Sequence, residues 1–272
     1  MSRKLNFIPN FESYDWIRNQ MNEDLKYRLE NRNKTTSFGR PLYERINVQL
    51  IMTQECPYRC PFCLERQHPM AGNNNFKNQI ESLKKILDEH PNARLTITGG
   101  EPTLYLEQVR KIADTFNSFS NKTFLSLNTA GYDSNVVDII DNINLSFNDY
   151  VHPDIKQFPN ATFQTVLNNG RMDWKNISEI IENTNMDKFS FRFLSGLNKS
   201  DYPIDIWKDI QENAEVHTFR VGDFFVYATF DYKGKHARIT LGDMYQQTHN
   251  NYENGYSNII IHPDGRIGTN WR

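Results

Sequence analysis

All three thiols in the chain fall within eight residues, Cys56-Pro-Tyr-Arg-Cys60-Pro-Phe-Cys63. An odd number of clustered cysteines is a poor disulfide framework. The spacing also lacks the two separated ligand pairs of a self-contained zinc site. His68 and His152 lie downstream as possible fourth ligands, although His68, close behind the loop, reads as a surface residue. A cubane [4Fe-4S] cluster has four iron corners and is usually held by thiolates. Three thiolates on one tight loop would hold three corners and leave the fourth iron open to an outside ligand. An open position is what separates a reactive metal site from a structural one.

The C-x3-C-x2-C spacing, with Phe62 before the third cysteine, resembles the signature of the radical S-adenosylmethionine (SAM) superfamily. In that family the unique iron chelates the amino and carboxylate groups of SAM. A second stretch, RLTITGGEPTL at 94–104, strengthens the resemblance. Its first half reads as a buried strand that Gly-Gly-Glu-Pro breaks sharply. The family's equivalent segment follows the second strand and contacts the SAM amino group. By that resemblance, Gly99 and Gly100 let the backbone approach the ligand, since neither carries a Cβ. Glu101 offers a carboxylate to the ammonium, and Pro102 stiffens the exit.

Strands are expected at 45–53, 94–98, 123–129, 143–149, 188–196 and 217–223, with helical segments between them. The stretch 75–90, for instance, carries Phe76, Ile80, Leu83 and Leu87 on one stripe. Alternating strands and helices imply parallel βα units and an α/β fold. The resemblance implies a partial (β/α)6 TIM-like barrel over residues 43–223. An N-terminal helical extension over 1–42 would precede it, its apolar spacing (Tyr14, Ile17, Met21, Leu25) predicting a helix that packs on the barrel. A C-terminal β-hairpin region over 224–272 would follow and cover the substrate. Barrel enzymes place their chemistry at the carboxyl ends of strands. That rule nominates Asn128, Thr129, Ser146, Asn148 and Arg192. The resemblance implies the SAM ribose for Asn128 and Thr129 and the family's next SAM contact for Ser146 and Asn148, while Arg192 could face a carboxylate or the ribose.

The last quarter alternates about two turns, Tyr-Lys-Gly-Lys at 232–235 and Pro-Asp-Gly at 263–265. The second hairpin resembles the opening of the auxiliary-cluster modules (SPASM or twitch) of many radical SAM enzymes. The aligned positions hold no cysteine, so a cysteine-ligated auxiliary cluster is not expected. Arg266, Trp271 and Arg272 are candidates for touching a polar or anionic substrate.

Composition narrows the class. A formal charge of -2 and pI near 6.4 give no reason to expect nucleic acid. Neither a signal peptide nor 18 consecutive apolar residues occurs, so a soluble cytoplasmic protein is expected. The resemblance implies reductive SAM cleavage to a 5′-deoxyadenosyl radical that abstracts hydrogen, with a flavodoxin or ferredoxin-type reductant. With no spare thiol, thiol-dependent epimerisation and sulfur insertion are disfavoured. Rearrangement, bond formation, elimination or dehydrogenation remain. The first 42 residues look too few for a leader-binding domain, which favours a small polar metabolite. A peptide maturase is the rival reading, and a non-catalytic Fe-S interaction protein is the third.

Overall fold

Strand and helix alternate along most of the chain, and the pairing of the strands follows from which faces are apolar. The computed structural model describes residues 4–11, 13–31, 46–63, 66, 73–119, 124–167, 173–194, 203–221, 225–242 and 258–268. In chain order the elements are β1 (Lys4–Leu5), α1 (Tyr14–Asn31), β2 (Asn47–Ile51), α2 (Phe76–Glu89), β3 (Arg94–Thr98), α3 (Leu106–Asn117), β4 (Leu125–Thr129) and β5 (Asn142–Ser146). They continue with β6 (Thr162–Leu167), α4 (Trp174–Asn183), β7 (Lys188–Phe193), α5 (Asp205–Asn213), β8 (Glu215–Val221), β9 (Phe225–Tyr232), β10 (Lys235–Gly242), β11 (Asn258–Ile261) and β12 (Ile267–Gly268). Two units emerge, one from Met1–Asn33 with Thr162–Gln247, the other from Lys34–Ala161 with Thr248–Arg272. No described helix is long and apolar enough to cross a membrane.

The second unit carries the cysteines. Its strands β11, β2, β3, β4 and β5 run parallel in that order, and β12 returns antiparallel beside β11. Alternation along the strands buries Val48, Leu50, Leu95, Ile97, Leu127 and Leu145. The intervening positions are polar: Gln49, Thr96, Asn128, Asn144 and Ser146. Helix α2 starts where the Asn75 side chain accepts from the Asn78 N–H at 3.1 Å, satisfying an otherwise unpaired donor. It buries Ile80, Leu83, Ile86 and Leu87, and α3 buries Val109, Ile112 and Phe116.

The C-terminal hairpin is built into this sheet, its first strand extending the edge beside β2. Gln79, fully buried on α2, explains the attachment: its Nε2 donates to the carbonyls of Ile51 (2.8 Å), Met52 (3.3 Å) and His262 (3.2 Å). The turn itself lies against α2, with Asn75 N–H donating to Pro263 at 2.7 Å and the Ser82 hydroxyl to Gly265 at 2.5 Å.

In the other unit β8, β9 and β10 are antiparallel, β1 pairs antiparallel with β8, and β10, β7 and β6 run parallel. Its core is aromatic, with Phe163, Phe189, Phe191, Phe219 and Phe230 fully buried. Helix α1 forms where expected, with Ile17 fully buried. Phe11 just before it stacks on Trp16 at 5.1 Å and lies 6.3 Å from Phe219, a packing role.

Two strand expectations are corrected. Thr162–Leu167 is a strand, buried at every second residue and parallel to β7, which the sequence reading passed over. The segment 217–223 is not a further parallel strand: its described residues belong to β8, antiparallel to β9.

Candidate functional site

The cysteine loop hangs from the carboxyl end of β2, with Cys56 exposed and Cys60 and Cys63 half-buried. Partial burial pushes the Cys56 and Cys60 thiols above the usual range. At Cys60 the charge of Cys63 adds to that, and at Cys56 the charges of Glu101, Cys63 and Cys60 do. Among the described residues these three sulfurs do not gather within the 4.8 Å that would suit one ion. A cubane does not need that crowding, because each thiolate binds its own iron. The donor set therefore fits three corners of a cluster better than a single ion.

The glycines of Gly99-Gly100 serve the loop directly. A Cβ on Gly100 would stand 2.2 Å from the Glu55 carbonyl oxygen, and one on Gly99, whose φ is +131°, 2.4 Å from that of Thr53. The chains meet this closely because Gly100 N–H donates to Thr53 O at 2.6 Å and Glu101 N–H to Glu55 O at 2.7 Å. Glu55 immediately precedes Cys56, so this backbone pairing sets where the cysteine loop begins.

Glu101 is fully buried. Its Oε1 accepts from the Thr103 N–H (3.0 Å), the Thr103 hydroxyl (2.6 Å) and the Thr129 hydroxyl (2.5 Å), and its Oε2 from the Ala130 N–H (2.6 Å). A carboxylate offers about four lone-pair sites, so most of its accepting capacity is spent inside the protein. Pro102 opens the short 3-10 turn that Glu101 caps, where a missing N–H costs nothing.

Thr129 faces Glu101 and also accepts from Gly131 N–H at 2.9 Å. Asn128 lies on the polar face between Thr98, to whose hydroxyl its Nδ2 donates at 3.5 Å, and Asn144, whose Nδ2 donates to its Oδ1 at 2.9 Å. Ser146 is half-buried at the end of β5. Asn148 stands beside the loop: its Oδ1 accepts from Cys60 Sγ at 3.8 Å and from Tyr150 N–H at 2.9 Å. The Tyr150 ring meets Phe62 edge-on at 6.3 Å. The Tyr105 hydroxyl donates to Glu55 at 2.5 Å, tying the element after Pro102 back to the loop. Three separate sets of contacts result: Asn148 with Cys60, Asn128 with Thr98 and Asn144, and Glu101 with Thr129. His152 packs edge-on against Phe147 at 5.0 Å, and His68 lies outside the described residues.

Arg192 lies on β7 in the other unit, next to the strand's last residue. Its side chain keeps accessible surface, yet protein surrounds it closely enough that burial, with the charge of Arg238 adding, lowers its pKa to about 10. Arg238, on β10, lies 4.4 Å over the Tyr227 ring and donates from Nε to the Thr240 hydroxyl at 3.1 Å. Thr240 is the register partner of Arg192. Among the described residues no carboxylate pairs with either guanidinium. Arg266 is exposed, with Nε 3.9 Å from Asp264 of its own turn; Trp271 and Arg272 lie outside the described residues.

Sequence reasoning missed Asn144, Thr98, Gln79 and Arg238. Asn144 and Thr98 share the face of Asn128 by simple alternation, a signal present once the register is known. Gln79 and Arg238 carry no motif.

A family model described as the Radical SAM superfamily matches residues 50–191. A curated relative, the "Probable GTP 3',8-cyclase" of Thermococcus kodakarensis, is 40% identical over 79 residues, which is 28% of this chain and 25% of that protein. The match thus spans a quarter of the relative's length. The structure of Streptococcus suis SuiB bound to S-adenosylmethionine matches 96% of this chain and 67% of its own, with TM-score 0.56 at 14% identity. The same protein bound to precursor peptide SuiA matches 97% and 66%, with TM-score 0.52 at 15% identity. The structure of anSMEcpe with bound AdoMet is matched over 55% of this chain and about half (51%) of that one, with TM-score 0.46 and 16% identity.

Proposed function

The chain belongs to the radical SAM superfamily, and from that premise we propose that it modifies a ribosomally made peptide, with Cys56, Cys60 and Cys63 holding one [4Fe-4S] cluster. When bound, the cluster supplies one electron to the sulfonium of SAM, which yields methionine and a 5′-deoxyadenosyl radical able to abstract hydrogen.

The chain's own part is positioning. The backbone pairing of Thr53 and Glu55 with Gly100 and Glu101 aims the cysteine loop. Glu101 fixes the end of β4 through Thr129 and Ala130, a positioning role rather than a direct hold on the SAM ammonium. Asn128 and Ser146, on the polar face of the sheet, suit the ribose and carboxylate of SAM. Arg192 and Arg238 suit an anionic group of the substrate, because a carboxylate between two neighbouring cations would relieve their repulsion. A flavodoxin or ferredoxin-type protein would deliver the electron.

One observation favours the peptide: the fold likeness to SuiB, whose structure includes a precursor peptide, extends over 96–97% of this chain, well past residues 50–191. A small polar metabolite is the second reading, supported by the match to a GTP cyclase over 79 residues. The test is anaerobic reconstitution, reduction with dithionite in the presence of SAM, and quantitation of 5′-deoxyadenosine. Deuterium entering that nucleoside from labelled peptides encoded beside the gene supports the proposal. Transfer from labelled GTP instead selects the metabolite reading. Iron without nucleoside release would leave a non-catalytic Fe-S protein.

A further inference from the structure

Three adjacent strands of the unit without cysteines gather a second set of ligand-type side chains. His217 on β8, Asp231 on β9 and His236 on β10 place one ligand atom each within 4.8 Å of the others. His217 Nε2 lies 3.0 Å from Asp231 Oδ2, and His236 Nδ1 lies 2.8 Å from Oδ1. The two rings are 6.1 Å apart and 23° from parallel. The side chains are 37%, 41% and 53% accessible for His217, Asp231 and His236, so an ion can reach them from solvent.

Strand pairing sets the three residues on one face. His236 stands directly opposite Asp231 in the β9–β10 register. On β8 the register steps from Val216↔Phe230 to Thr218↔Thr229, leaving His217 as an extra residue in a bulge. Alternation from Glu215, the register partner of Asp231, already sets His217 on the face of Asp231. The bulge follows on that face and leaves His217 beside the carboxylate.

We propose that His217, Asp231 and His236 bind a first-row divalent transition-metal ion of the zinc type. Two imidazoles and a carboxylate are an ordinary ligand set for such ions. Tetrahedral ligands on bonds of about 2.0–2.1 Å lie roughly 3.3 Å apart, so an ion would enter with a small widening of the two histidine–carboxylate contacts, which run to different oxygens of Asp231 at 3.0 and 2.8 Å. Three protein ligands leave at least one position to water. The ion would staple β8, β9 and β10 without using a thiol. Glu215, in register with Asp231, adds negative charge nearby, and Lys188, in register with His236, opposes it. The ion's affinity reflects that balance.

The test uses the full-length protein with its cysteine loop already loaded with iron. Protein equilibrated with zinc and then dialysed is assayed for zinc and iron together. The expected result is about one zinc ion per chain, lost in the His217→Asn/His236→Asn double variant while iron is unchanged. A single Asp231→Asn variant guards against misfolding: it should fold as the parent does, yet lose the zinc-dependent rise in melting temperature. Equal zinc in parent and variants, or none in the parent, overturns the proposal. Neither result bears on SAM cleavage, which the iron and nucleoside assays read separately.

Discussion

At the scale of single residues, the Glu101 carboxylate is held entirely by its neighbours among the described residues. The four described hydrogen bonds to its carboxylate come from Thr103, Thr129 and Ala130. Glu101→Gln replaces one acceptor oxygen with a donor that must face an N–H or a hydroxyl. A buried mismatch of that kind costs about 1–3 kcal/mol. Urea unfolding of the metal-free protein should show this loss. If stability is unchanged and only the KM for SAM rises, Glu101 binds the ligand directly. Arg192 should behave in the opposite way. It sits beside Arg238 with no described carboxylate partner, so Arg192→Met removes one cation from a repulsive pair. The melting temperature should hold or rise while substrate-dependent nucleoside formation falls, the exchange of stability for function seen at binding sites. A fall in melting temperature would show that the guanidinium has a structural partner. The cysteine cluster stands out by residue type and spacing, and Gly-Gly-Glu-Pro only through its resemblance to the family's segment. Arg238 and the His217, Asp231 and His236 group do not stand out, because strand register rather than sequence spacing brings them together.

At the scale of elements, the sequence carried periodicity well and pairing poorly. Helices α2 and α3 announce themselves through apolar stripes at helical spacing, and both formed where expected. Strand β8 alternates as a barrel strand would, and alternation alone does not distinguish parallel from antiparallel partners. Strand β6 is six residues long with two threonines and a glutamine, a weak apolar signal whose burial depends on its neighbours. The two glycines were read for ligand approach, and the structure adds a second demand: each abuts the backbone leading into the cysteine loop. Gly100→Ala sets a methyl 2.2 Å from the Glu55 carbonyl oxygen, where only backbone movement relieves the clash. Overpacking of this kind costs about 1–3 kcal/mol, and the movement falls on the residue before Cys56. Reconstituted Gly100→Ala should therefore bind less iron than the parent as well as unfold earlier. Full iron content would mean that the loop tolerates the shift and that the glycine is needed for something else.

At the scale of the molecule, the two units divide the work and are built from different cores. The unit with the cysteines is aliphatic inside and holds the three thiols, Gly99 to Pro102, and the asparagines of the polar face. The other unit is packed with phenylalanines and holds Trp16, Trp174 and Trp207, three of the four tryptophans in the chain. Tryptophan fluorescence therefore reports mainly on the unit without the cysteines. Phe230 is fully buried there, 6.0 Å from the Trp174 ring centroid. Phe230→Ala should cost about 3–5 kcal/mol and move the fluorescence-detected urea transition to lower concentration. Iron bound per folded chain should stay at the parent value, since every cysteine and every described partner of the loop belongs to the other unit. If iron falls in step with the fluorescence transition, the aromatic core is part of what holds the cysteine loop in shape.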